Sequence, residues 1–160
     1  MLQSTSLPGA LLETATLLSA AEKALPTPQD NIQISYDFET LIARVQASLP
    51  FTVDLSEADQ VGLVPTDYAP ISGFNASAVT GLTGGSSITS AATALVKIAA
   101  AMDVAEKAKV AAGGSIPDGV GIAITGDLEG LQLGLAIDVP FQVTVGAGGN
   151  QVLTAVNYLA

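Results

Sequence analysis

The chain has 160 residues, of which 49% are hydrophobic and sixteen are Gly, and it contains no Cys, His or Trp. Fifteen acidic side chains against Lys23, Arg44, Lys97, Lys107 and Lys109 give a formal net charge of −10 and an isoelectric point near 4.1. Phosphate backbones need several cationic contacts and anionic membranes attract basic segments, so neither nucleic acid nor membrane is an expected partner. Without His or Cys the usual nucleophile–base pairs are also missing, and the chain reads as non-enzymatic.

One domain is the prior at this length, and folding can bury roughly 70% of the unfolded surface. Aromatics are only 4%, so the core must come from close packing of Ala, Val, Leu and Ile. Charged residues are 12%, against roughly 25% in ordinary soluble domains, and the mean hydropathy is +0.50. A surface so thinly charged implies cover by neighbouring copies, hence a homo-oligomer. Met1-Leu2-Gln3-Ser4 lacks the basic start of a secretory signal, and no apolar run approaches the roughly 18 residues of a membrane span.

From Pro8 to Leu25 the apolar positions, including Leu11, Leu18 and Leu25, recur close to helical spacing, and Pro26 and Pro28 end the pattern. The expected organisation is a helical arm and linker over 1–28, followed by a β-rich domain over 29–160. Leu11, Leu18 and Leu25 are candidate assembly contacts, packing either on the domain or on a neighbour. Ile32, Ile34, Tyr36 and Phe38 alternate with polar residues as a half-buried strand does. Leu41–Val45 and Phe51–Leu55 read as two further strands, separated at Pro50.

Residues 56–88 lose periodicity and carry Pro65, Pro70, Gly73, Gly81, Gly84 and Gly85, the composition of a long loop. Residues 89–111 fit two readings: the Ala content favours a second helix, while Leu95-Val96-Lys97-Ile98 and Val104–Val110 also suit two strands. Val120–Ile124, Leu131–Ile137 and Pro140–Val145 are β-rich, divided by turns at Gly126–Gly130 and at Asp138. Gly146–Asn150 closes the last of them, and Gln151–Tyr158 adds a final strand. Ile122, Ile124, Leu133, Leu135, Phe141, Val143 and Val145 fall on alternating positions and form the candidate β core. The fold class is thus mainly β, a small antiparallel barrel or sandwich with an N-terminal helix. No internal repeat is expected.

The carboxylates cluster as Asp37 with Glu39, Asp54 with Glu57 and Asp59, and Asp127 with Glu129. Such pairs can serve Ca²⁺ or acid–base chemistry, but none has EF-hand spacing, and in an acidic chain they are expected as solvated turns. Gly81-Leu82-Thr83-Gly84-Gly85 lacks the Gly-Lys-Ser/Thr ending of a phosphate loop. No Ser-x-x-Lys pattern is present, and the sequon Asn75-Ala76-Ser77 decides nothing. No catalytic, cofactor or metal residue is assigned.

Lys107 to Gly149 carries a resemblance. Its Ala-Gly turn, Ile116-Pro117-Asp118-Gly119-Val120-Gly121-Ile122-Ala123, Leu133-Gly134-Leu135-Ala136 and Phe141-Gln142-Val143-Thr144-Val145-Gly146-Ala147-Gly148-Gly149 resemble small β-domain cement or decoration proteins of tailed-phage capsids. Leu95-Val96-Lys97-Ile98 resembles the strand opening that unit. The resemblance implies strand rather than helix at 95–110, a place on the virion surface, and no catalysis. The expected function is a structural virion protein that stabilises a phage head lattice, its partners being the major capsid protein lattice and copies of itself. The alternatives are an extracellular pilus-like filament subunit assembling by strand addition, and a carbohydrate- or calcium-binding module.

Overall fold

The computed structural model describes residues 6–54, 62–66, 68–69, 71, 90–127, 129–149 and 151–159. Helix α1 spans Leu7–Lys23, β1 Ile32–Asp37, β2 Ile42–Asp54, β3 Gly62–Pro65, α2 Ala91–Ala111, β4 Gly121–Asp127, β5 Gln132–Val145 and β6 Gln151–Ala155. The strands form one antiparallel sheet in the order β1-β2-β5-β4, with β3 added to β2 and β6 to β5. The sheet is not a closed barrel: the two helices cover one face and take the place that a second sheet has in a sandwich.

Each helix begins at a serine. Ser6 and Ser90 are extended residues whose hydroxyls accept the N–H of Gly9 (3.3 Å) and Thr93 (3.2 Å), the arrangement that satisfies an orphan donor of a first turn. The sequence left residues 89–111 open between helix and strands, and the structure makes Ala91–Ala111 helix. Leu95-Val96-Lys97-Ile98 therefore lies in α2 rather than in the strand implied by the resemblance. Leu95, Ile98, Ala99 and Met102 are wholly buried, at the spacing of one helical face.

Strands β2 and β5 run through positions expected to divide them. Pro50 lies inside β2, and Asp138 and Pro140 lie inside β5. The reason is the same for both prolines. β1 stops opposite Ala47, and β3 starts opposite Phe51; β4 stops opposite Asp138, and β6 starts opposite Phe141. Each proline thus occupies a junction between successive partners, where a missing N–H costs no ladder bond. Gly62–Pro65, within the expected loop of 56–88, forms β3, and most of the remaining loop residues lie outside the described set.

The chain is an internal duplication, contrary to the expectation of no repeat. Helix positions correspond at a spacing of 84 residues, as in Ser6 and Ser90, Leu11 and Leu95, Ala15 and Ala99, and Glu22 and Glu106. Strand and turn positions correspond at 90, as in Asp37 and Asp127, Pro50 and Pro140, Phe51 and Phe141, and Tyr68 and Tyr158. The hydrogen bonds repeat with the residues. Asp37 Oδ1 accepts from Glu39 and Thr40 N–H at 2.9 and 3.4 Å, and Asp127 Oδ1 from Glu129 and Gly130 at 3.0 and 3.1 Å. Each of these turns ends on a left-handed leucine, Leu41 (φ 57°) or Leu131 (φ 53°).

The two units pair through β2 and β5. Gln46 faces Ala136, its own equivalent, and the register continues symmetrically to Ile42↔Pro140 and Pro50↔Gln132. Phe51 N–H donates to Leu131 O at 3.1 Å, and Phe141 N–H donates to Leu41 O at 3.0 Å. A pseudo-two-fold axis therefore passes between Gln46 and Ala136, and the fold is an isologous dimer within one chain.

Between sheet and helices lies a single core. Ala43, Val45, Ala47 and Leu49 from β2 and Leu135, Ile137, Val139 and Phe141 from β5 meet Leu11, Leu18, Leu95, Ile98 and Met102. Leu11 and Leu18 are fully buried within their own chain and Leu25 is half-buried against the same core. Residues 7–23 are thus part of the domain rather than a detached arm. Of the candidate β core, Leu133, Leu135 and Phe141 are buried, and Ile122 and Val143 are half-buried. Two are not enclosed: Ile124 is 37% exposed and Val145 72%. Ile124 sits on an outer strand and Val145 at the far end of β5, so alternation put both on the apolar side without providing cover.

Candidate interaction surface

The face of the sheet away from the helices is open. It carries the residues that alternate with the core: Gln33, Ser35 and Asp37; Ile42, Arg44, Gln46 and Ser48; Gln132, Gly134, Ala136 and Asp138; and Gly121, Ala123, Thr125 and Asp127. The central cross-strand row is Gln33, Gln46, Ala136 and Ala123, and beside it runs Ser48, Gly134 and Thr125. Neither row holds a charge. In a chain of net charge −10 this is a neutral island of amides, hydroxyls and small side chains.

Backbone and side chain meet closely on this face. A Cβ at Gly134 would lie 2.7 Å from Thr125 Oγ1, so the glycine lets the threonine lie flat over β5. Ser48 Oγ donates to Gln132 Oε1 at 3.0 Å. Ser48, Thr125, Gly134 and Asp30 are among the residues that line a shallow depression of about 370 Å³. A second depression of about 560 Å³ surrounds Arg44, with Asp37, Asp118 and Asp138.

Charge breaks the internal symmetry here. Arg44 lies opposite Asp138, with Nε–Oδ1 at 2.8 Å and Nη2–Oδ2 at 3.4 Å, and the Asp138 carboxylate holds the guanidinium pKa above its ordinary value. The symmetry-related pair is Ser48 with Gly134. One end of the face is thus polarised while the other is neutral.

Among the described residues no group of three His, Cys, Asp or Glu side chains could hold a metal ion. Asp37 and Asp127 serve their turns, and the backbone N–H groups of Glu39 and Thr40 hold the Asp37 carboxyl below its usual pKa. Glu57, Asp59, the Gly81–Ser87 stretch and the sequon at 75–77 lie outside the described residues. Gly146–Gly149 forms the turn between β5 and β6, with Gly148 and Gly149 at φ 82° and 81°.

Two carboxylates escaped the sequence reading. Glu22 is wholly buried; its Oε1 accepts Ile32 N–H at 3.0 Å and its Oε2 accepts the Tyr68 hydroxyl at 2.6 Å. The symmetry-related Glu106 accepts the Tyr158 hydroxyl at 2.8 Å. Burial, then the hydrogen bond to the carboxylate, raises the pKa of both tyrosines. These pairs fasten the helix ends to the segments after β3 and β6. The signal was available as a Glu-Lys-Ala triplet and a tyrosine recurring in each half. Neither a family model, nor a curated protein, nor a solved structure matches the chain.

Proposed function

We propose that this chain is a structural virion protein, a cement or decoration protein that binds the outside of a phage capsid lattice and stabilises it. The observation that carries the reading is the pair of uncharged central rows on the open sheet face of an otherwise strongly acidic chain. Charged partners gain little there, whereas an uncharged protein surface can bury it without desolvating unpaired ions. Four strands at about 4.8 Å spacing and about six residues along each make a face near 20 Å square. That is smaller than the roughly 800 Å² per partner of a standard complex. Such a contact is weak singly and becomes durable when repeated over a lattice.

The internal two-fold supports the same reading. A monomer with two near-equivalent halves can bridge two identical neighbours, as a cement between capsid subunits does. The strands of 120–145 are the part of the resemblance to capsid decoration proteins that coincides with β structure. The test adds the purified protein to accessory-free heads of its source phage, then challenges them with heat and osmotic shock. Bound protein with a raised disruption threshold is the expected result. Shells that bind the protein yet break at the same threshold would remove the stabilising role.

A further inference from the structure

The geometry points to a second copy of this chain as the partner of the β4 edge, two β4 strands pairing antiparallel about a two-fold centred on Ile124. The inference rests on the assembly role proposed above and names one contact within it. The ladder with β5 uses the backbone groups of Gly121, Ala123, Thr125 and Asp127. Val156 N–H donates to Pro140 O and Phe141 N–H to Leu41 O, so even-numbered residues of β5 face β4 and β6. The even residues of β5 are paired with the odd residues of β4. Ile122, Ile124 and Gly126 therefore turn their N–H and C=O groups outward, where they meet no partner among the described residues.

The internal repeat supplies a comparison within the molecule. The equivalents of Ile122, Ile124 and Gly126 are Ile32, Ile34 and Tyr36 on β1, the opposite edge. There the outward N–H of Ile32 is taken by buried Glu22 at 3.0 Å. In the second unit Glu106 keeps its tyrosine but does not take the N–H of Ile122. The chain between helix and strand is six residues longer there, the difference between spacings of 84 and 90. Ile34 packs against the core cluster, whereas Ile124 is 37% exposed. A carboxylate thus takes the first outward donor of β1, while its twin on β4 has no such partner among the described residues.

Self-pairing through β4 fits in hydrogen bonding and in charge. Centring on Ile124 sets Ile124 against Ile124 of the second copy and Ile122 against Gly126, each an exchange of two bonds. The equivalent arrangement at β1 would lose both pairs involving Ile32 to Glu22 and keep only the central one. Val120 to Gly126 carries no charge, and the register places Asp127 opposite Gly121. Two chains of charge −10 can thus approach here without opposing carboxylates. The flanking Asp127 and Glu129 answer to Asp37 and Glu39 at β1, so the hydrogen bonding rather than the charge separates the two edges. A seven-residue strand buries well under the roughly 800 Å² per partner of a standard interface, so the dimer is a modest one. A two-fold pairing of one edge with itself is isologous, so it closes at two copies and does not grow into a filament.

The chain has no cysteine, which makes cross-linking the direct test. Single variants Ile124→Cys, Ile34→Cys and Gln46→Cys of the full chain are oxidised and run on non-reducing gels. A hydrogen-bonded antiparallel pair brings Cα atoms to about 5.5 Å, within disulfide reach. Ile124→Cys should give a covalent dimer, with little from the other two. Dominant cross-linking through Gln46→Cys would show that copies meet face to face, and through Ile34→Cys that they meet at β1; either overturns the inference, as does no cross-linking at all. Ile124→Pro removes an outward donor and no bond to β5, so sedimentation should show dimerisation weakened about tenfold or more with the melting transition retained. An unchanged dimer in a folded Ile124→Pro protein would also overturn it. Loss of head binding with the cross-link intact would count against the capsid reading alone, and an absent cross-link with head binding intact against this edge alone.

Discussion

At the scale of single residues, the buried polar groups make the sharpest predictions. Glu22 satisfies a strand donor and a tyrosine at once, so Glu22→Ala should destabilise the protein by about 3 kcal/mol, leaving both donors unpaired. Glu106→Ala should cost less, because Glu106 is only half-buried and accepts no strand donor; urea unfolding of the two variants measures the difference. Thr14 is the opposite case. It is wholly buried and its Oγ1 meets no partner among the described residues, while the equivalent position is Ile98. Thr14→Val should therefore stabilise by about 1 kcal/mol in the same assay. Burial and the carboxylate partner hold Tyr68 and Tyr158 above the ordinary tyrosine pKa of about 10 in the folded state. Their contribution is complete below that pH and declines as pH rises past it, because the unfolded chain ionises first. Melting temperature should fall above about pH 10, and Tyr68→Phe with Tyr158→Phe should flatten that alkaline slope.

At the scale of elements, helix α1 was legible in the sequence because Pro8 and Pro26 bracket a leucine stripe. Its burial was not, since periodicity identifies an apolar face without saying what covers it. Leu18 is fully buried in the shared core, so Leu18→Asp should unfold the domain or cost more than about 3 kcal/mol in denaturant titration. The long strand β2 was read as two because proline normally ends a strand, and β5 was divided at Asp138; the missing fact was tertiary, namely that Pro50 and Pro140 each meet a gap between two partners. Helix α2 stayed ambiguous since Ala, Val and Ile satisfy both periodicities over 89–111. Ser90, which caps it, sits before that run without the Glu or Gln that would complete a capping box.

For the molecule as a whole, mainly β structure with an N-terminal helix was readable, while the duplication was hidden. The halves share pattern more than identity: Ala43, Val45 and Ala47 answer to Leu133, Leu135 and Ile137, and the change of spacing from 84 to 90 defeats comparison at one fixed period. The neutral face was equally hidden, because Gln46, Ala136 and Ala123 are unremarkable residues until the register aligns them. Composition pointed to covered surface, and the sheet shows where the charges are absent. The most direct test of the proposed role is co-sedimentation of the protein and its Ala136→Glu variant with accessory-free heads of the phage that the proposal requires. Ala136 is exposed at the pseudo-two-fold axis, so the variant should fold normally and add a charge at the centre of the contact. Saturable binding by the native chain, lost or weakened more than about tenfold in the variant, is the predicted result; no binding by the native chain, or equal binding by both, would contradict it.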